Sequence, residues 1–229
     1  MSVSAFATAR PAPRASRRGR RDGAHSTSAT TLVKATAALM RERDTLDISF
    51  VEIAERAGLP AGLIGYYFGN KEGLFFAVLE RDVKYALAQL DALVASDWSP
   101  VDKMRLHLRG VVRAYYKTPY FNRLVQAMSR DATPERVARI AAELIGPMTA
   151  AQGAIMDEGV ASGLFREVDR MLFYFSVIGA ADAIHSSRFI LSSVYGVADV
   201  TPDLHRRHAA HIADVFLRTL MVDPSRATV

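Results

Sequence analysis

DISFVEIAERAGLPAGLIGYYFGNKEGLFF, residues 47–76, decides the fold. Ser49-Phe50-Val51-Glu52 within it is a capping box, in which the serine hydroxyl accepts from the amide three residues on and Glu52 reaches back. Ile48 and Ile53 flank the box as a hydrophobic staple, which fixes the angle at which the chain enters the helix. Ile53, Ala54 and Ala57 give that short helix an apolar face, and Gly58 permits a sharp turn because it reaches positive φ without a Cβ penalty. A second short helix follows, with Ile64 and Phe68 four residues apart on its buried side. Asn70 caps the next helix, and Lys71 stands in its first turn. Two short helices joined by a tight glycine turn, the second followed at once by a capped helix, form a helix-turn-helix.

Outward from this stretch, apolar residues recur at helical spacing and no alternating strand pattern stands out, so the chain reads as all-α. Ser99-Pro100, Thr118-Pro119, Thr133-Pro134 and Thr201-Pro202 each place a hydroxyl cap before a proline, whose missing N–H costs nothing at a first helical position. These signals predict helices near 100–117, 119–130, 134–161, 170–195 and 202–221, with a kink at Gly146-Pro147. Upstream, helices are expected near 29–43, 50–57, 61–67 and 71–95, the last serving as a connector.

The formal charge of +5 is unevenly placed. Arg10, Arg14, Arg17, Arg18, Arg20 and Arg21 stand in the first 25 residues against a single acid, Asp22, which leaves bases and acids equal in residues 26–229. With Pro11, Pro13, Gly19 and Gly23 among small polar residues, this tail is expected to be disordered. It could add salt-dependent affinity for a nucleic acid, or serve only as a solubilising extension. It has no continuous apolar stretch of the secretory kind. The absence of cysteine excludes disulfides, thiolate metal sites and cysteine nucleophiles, and it fits a cytoplasmic protein. The uncharged apolar run 171–181 is too short to cross a bilayer.

The runs Ile53-Ala54-Glu55-Arg56-Ala57-Gly58 and Tyr67-Phe68-Gly69-Asn70-Lys71-Glu72-Gly73-Leu74-Phe75 resemble the signature of the tetracycline-repressor (TetR) family. Leu39-Met40 stands where that family buries its first helix. The resemblance covers about residues 30–80. It implies an N-terminal three-helix helix-turn-helix DNA-binding domain at 26–75, after the tail at 1–25, and a larger helical ligand-binding and dimerisation domain at 76–222. It also implies that Ala61, Gly62, Leu63, Gly65, Tyr66 and Tyr67 lie in a major groove. Phosphates would meet the helix starts at Thr30 and Thr31, at Ser49, and at Asn70 and Lys71. Free N–H groups and a positive dipole end support the phosphate roles on physical grounds alone.

The chain departs from the family where Pro60-Ala61-Gly62-Leu63 replaces a common Ser-Lys-Gly-Thr run, and where Gly65 replaces a Tyr or His. The recognition helix thus has no charged side chain and no Asn or Gln, so bidentate readout of guanine or adenine is closed to it. What remains is apolar contact from Ala61 or Leu63, close backbone approach at the glycines, and the Tyr66 hydroxyl. Residues 26–80 hold five bases against seven acids, so the tail is expected to supply much of the DNA affinity.

By the same resemblance, a ligand cavity lies among the middle helices. Apolar and aromatic candidates for its lining are Trp98, Leu108, Val112, Tyr115, Phe121, Val125, Met128, Met148, Phe173 and Ile178. His107, Gln152, Asp182 and His185 are the polar groups available to orient a ligand. Such a lining suits a small, largely apolar or aromatic effector. The resemblance puts a homodimer interface on the helices near 170–195 and 202–221, presenting two recognition helices to a near-palindromic double-stranded operator. Asp182, His185 and Arg188 equally suit a network across that interface.

His205, His208 and His211 recur every third residue and drift around a helix, with no carboxylate or cysteine cluster beside them, so no metal and no cofactor is expected. An all-helical enzyme or a protein-interaction module are the alternatives. The phosphate-loop, zinc-protease, nucleophile-elbow and dinucleotide glycine motifs are missing from the sequence, and no catalytic residue is expected.

Overall fold

The computed structural model describes residues 17–130 and 132–224, with side chains from residue 27 onward. Three of the four hydroxyl-proline signals open helices as expected. Ser99, Thr133 and Thr201 each accept from the amide three residues on, and a proline follows at the first helical position. Thr118 differs: its hydroxyl donates back to the Ala114 carbonyl at 2.8 Å, ending one helix rather than starting the next. The chain turns there and resumes at Phe121.

In order the helices are α1 (Arg17–Arg43), α2 (Phe50–Ala57), α3 (Gly62–Phe68), α4 (Lys71–Val94), α5 (Pro100–Lys117) and α6 (Phe121–Arg130). There follow α7 (Pro134–Ile140), a π-helical turn at Ala141–Ile145, α8 (Gly146–Ala161), α9 (Arg170–Ser186), α10 (Arg188–Ser193) and α11 (Pro202–Leu220). The expected kink at Gly146-Pro147 is therefore a π turn just upstream of the proline, where the ring removes an i→i−4 bond. The helix expected over 170–195 breaks at Ser187 into α9 and α10. No strand forms among the described residues beyond one isolated bridge, Phe165 to Met221, which ties the α8–α9 loop to the end of α11.

The first helix corrects the reading of the tail. It begins at Arg17 rather than near 29, so the backbone of 17–25 is helical where disorder was expected. Arginine is a good helix former, and a helix already packed at one end adds a bond for each residue it recruits. The rest of the expected disorder, residues 1–16, falls outside the described residues. Thr30 and Thr31 consequently sit inside a helix, and the Thr31 hydroxyl donates to the Thr27 carbonyl at 2.8 Å.

Two features position the DNA-binding part. The core around Leu32, Met40, Ile48, Ile53, Ile64 and Leu74 continues without a break into Tyr120, Leu124, Ile140 and Leu144 of the following helices. The α5–α6 corner is then fastened to α1: Arg41 donates to the Lys117 carbonyl, and Arg123 donates to both the Asp44 carbonyl, at 2.8 Å, and its carboxylate. Tyr120, fully buried, donates to Asp82 at 2.8 Å. Behind this, α5 packs against α4, α8, α9 and α11, with Met104, Leu108 and Val112 on its buried face.

Candidate nucleic-acid interface and effector site

Both capping interactions expected from the sequence are present. Glu52 N–H donates to Ser49 Oγ at 3.2 Å, and Ser49 N–H donates to Glu52 Oε2 at 2.7 Å. That backbone hydrogen bond, with Arg43 and the Ser49 hydroxyl, holds the Glu52 carboxyl down at about 2. Ile48 and Ile53 are fully buried, and Gly58 closes α2 at φ 64°, in the left-handed region that favours glycine. Asn70 Oδ1 accepts from Gly73 N–H at 2.9 Å, which caps the start of α4.

The short α3 presents Gly62, Gly65 and Tyr66 outward, Tyr66 at 69% exposure. Its inner side carries Ile64, fully buried, while Leu63 and Tyr67 lean on the same core. Ala61 is half-buried at the helix start. Thus Gly62, Gly65 and Tyr66 form an outward surface, whereas Leu63 and Tyr67 are partly committed to packing. Ser49 and Asn70 stand exposed at the starts of α2 and α4. Lys71 runs beside them, its ammonium 5.5 Å from the centre of the Phe75 ring. Thr30 and Thr31 do not stand at the helix start expected for them, because α1 continues upstream.

Cross-element ion pairs missed by the sequence reading further restrict the positive charge. Arg43 pairs with Glu52, and Arg56 pairs with Glu42. Arg43 and Arg56 are therefore each already paired with a carboxylate.

The effector candidates divide into separate places. His107 Nε2 lies 3.2 Å from Gln152 Oε1, both buried between α5 and α8. Burial lowers the His107 pKa against the opposing pull of Gln152, so the ring is neutral at neutral pH. Tyr115 donates to Asn122 at 2.8 Å. Asp182 also bonds to Asn122, and its carboxyl is raised chiefly by desolvation. Met128 is buried in the N-terminal core, which Phe121 flanks. Phe173 meets Phe216 edge to face at 5.5 Å in the core of the larger half, and Met148 is half-buried on α8.

His185 is buried, with Nε2 lacking a hydrogen-bond partner among the described residues. Its pKa is pressed down to about 4 by burial first, then by His208, Arg188 and His205. Tyr116 stacks on His205 at 4.3 Å nearby. A cavity of about 430 Å³ opens on the outer side of α5, and of the effector candidates Trp98 alone lines it.

On the far side, Met171, Leu172, Phe175, Phe189, Val194 and Tyr195 of the α9–α10 segment are each more than half exposed. The outer side of α11 is mostly polar, with Val215 the exposed large apolar residue there. No helix among the described residues is long and apolar enough to cross a membrane.

Comparison with known proteins agrees with this arrangement. Residues 32–78 match the family of bacterial regulatory proteins of the tetR type, and residues 97–225 match the tetracyclin repressor-like C-terminal domain. A curated relative, the HTH-type transcriptional regulator BetI 1 of Chromohalobacter salexigens, is 30% identical over 41% of this chain and 45% of its own length. The chain thus spans less than half the length of the first curated relatives it matches. Among solved structures, a TetR/AcrR-family regulator from Thermobifida fusca aligns with TM-score 0.62 and 25% identity, covering 82% of this chain and 96% of that one. FadR of Bacillus subtilis, solved in complex with stearoyl-CoA, aligns with TM-score 0.64 and 16% identity, covering 83% and 98%, a likeness of fold. With both halves matched by descriptions of one family, the larger match alone spanning more than half of its length, the chain belongs to the tetracycline-repressor (TetR) family of bacterial regulatory proteins.

Proposed function

We propose that this chain is a transcription regulator that binds a near-palindromic operator as a homodimer and releases it when a small, largely apolar or aromatic effector binds. The observation that carries the reading is the outward surface of α3, set between the Ser49-capped α2 and the Asn70-capped α4. Gly62 and Gly65 let the backbone of α3 approach base edges closely, and Tyr66 offers a hydroxyl and a ring to the groove. The starts of α2 and α4, with Lys71, meet phosphates on either side. With Arg43 and Arg56 paired to carboxylates, the basic N-terminal residues supply much of the electrostatic attraction. The exposed apolar residues of α9 and α10 are the surface on which a second copy closes.

Effector binding is assigned to the middle helices, where the buried His107–Gln152 pair supplies orientation within an apolar surround. An effector lowers operator affinity by favouring a dimer whose α3 helices are wrongly spaced for successive major grooves. The regulator acts in the cytoplasm, where its operator is. No observation among the described residues favours an enzyme or a pure protein-interaction module. Selection of bound sites from random DNA by the purified protein, followed by gel retardation, tests the reading. A two-half-site sequence whose binding weakens with salt is expected; failure to enrich any sequence would overturn it.

A further inference from the structure

The chain has one tryptophan, and it is half exposed: Trp98 shows 52% of its surface just before the cap of α5. Beside it opens the cavity of about 430 Å³, lined by Trp98, Asp102, Arg105, Leu106 and Arg109. Ligand pockets typically measure roughly 300–1,000 Å³. Residues 102, 105, 106 and 109 follow helical spacing and share one outward face of α5. Leu106, 44% exposed, adds an apolar side chain to the same lining.

Charge in this pocket is unequally spent. Asp102 and Arg105 pair at 2.7 Å, and the Arg105 side chain is only 15% exposed, so these two charges cancel in a fixed geometry. Arg109, one turn on, is exposed and carries no ion pair among the described residues. The frame of the pocket is rigid. Asp102 N–H donates to Ser99 Oγ at 3.1 Å, and Lys103 ties the same turn to the Val94 carbonyl, at 3.1 Å, and to Glu158, at 2.8 Å.

We infer that this pocket is a second small-molecule site, distinct from the effector site proposed above, and that it takes a planar aromatic monoanion. The ring lies between the Trp98 indole and Leu106, and the carboxylate accepts the forked N–H groups of Arg109. A cation is refused by the Arg109 guanidinium. A neutral ring gains the stacking but leaves the guanidinium to water. A ligand here rests against the turn that ends α4, the helix whose other end carries Asn70 and Lys71.

The single indole gives one side-chain N–H resonance, so binding is read at Trp98 itself by ¹⁵N–¹H NMR of the intact protein. The probes are 2-naphthoate, its neutral analogue 2-naphthamide and the cation 2-naphthylmethylammonium. Naphthoate is expected to shift the indole resonance saturably, with the amide at least tenfold weaker and the cation weaker still. Arg109→Gln should weaken naphthoate about tenfold and leave the amide unaffected; the exposed, unpaired Arg109 makes loss of the fold an unneeded explanation. Equal titration by all three probes, a shift that never saturates, or unchanged naphthoate affinity in Arg109→Gln would each overturn the inference. Operator binding in the same variant should match the parent, which separates this site from the function proposed above.

Discussion

Adding one methyl group to α3 and one to α4 should move stability in opposite directions. At Gly65, in the middle of α3, a Cβ meets nothing within 4 Å. Gly65→Ala therefore removes the backbone entropy that glycine loses on folding, a gain of about 0.5–1 kcal/mol. At Gly73, the third residue of α4, a Cβ would overlap the Phe68 carbonyl oxygen and lie 3.1 Å from its carbon. That neighbour is backbone, so no side chain can swing aside. Relief requires the junction of α3 and α4 to open by about an ångström, a strain of the kind that costs ~1–3 kcal/mol. The same movement disturbs the Asn70 cap on Gly73 N–H, worth about 1 kcal/mol. After subtracting the helix-propensity gain, Gly73→Ala should lose about 2 kcal/mol.

Urea unfolding at one fixed protomer concentration reads both variants as midpoint shifts of opposite sign, with the concentration held because the stability of the proposed dimer would depend on it. DNA binding should separate them again. Gly65→Ala, although more stable, weakens operator affinity by placing a methyl where the backbone approaches the bases. A Gly73→Ala protein as stable as the parent would refute the steric argument, and a destabilised Gly65→Ala would refute the open surface of α3.

Removing residues 1–24 should weaken operator binding and flatten its salt dependence by up to about 0.9 logarithmic units for each phosphate that the tail neutralises; an unchanged slope would remove the tail from the mechanism. Acid should destabilise the protein through His185, since its native pKa is about 4 against an unfolded value of ~6.5. Above pH 6.5 the ring is neutral in both states, and between 6.5 and 4 only the unfolded chain takes the proton. Stability therefore falls with pH across that window, by up to about 3 kcal/mol, and His185→Gln should flatten the decline measured by unfolding at pH 7 and pH 4.5. Phe175→Glu should turn the proposed dimer into monomer in light scattering, because it puts a charge into the exposed apolar face of α9; a persistent dimer would move the interface elsewhere.

Helix boundaries were legible where the signal is local. Ser49, Ser99, Thr133 and Thr201 cap within three residues of themselves, and each opens a helix as expected. Thr118 misleads because the same hydroxyl can serve either end of a helix, and only the turn at Pro119–Tyr120 decides which. The start of α1 falls in the arginine-rich run that composition alone assigns to a disordered tail, so its extension to Arg17 was not located. Ion pairs such as Arg56–Glu42 join residues from separate helices, which spacing along one helix cannot reveal. The effector candidates scattered for a related reason. Periodicity says that Met128 and Phe173 are buried, but not that they belong to different cores.

The seam between the two halves bears on how regulators of this kind can be recombined. Tyr120, Leu124, Ile140 and Leu144 complete the hydrophobic interior of the helix-turn-helix, and Arg123 holds the end of α1. A chimera cut near residue 76 would graft a foreign DNA-reading head onto a body shaped for Leu32, Met40 and Leu74. Such a head arrives without its own floor. Exchange of specificity in this scaffold would have to carry α6 and α7 along with the head, or rebuild the buried residues they contribute.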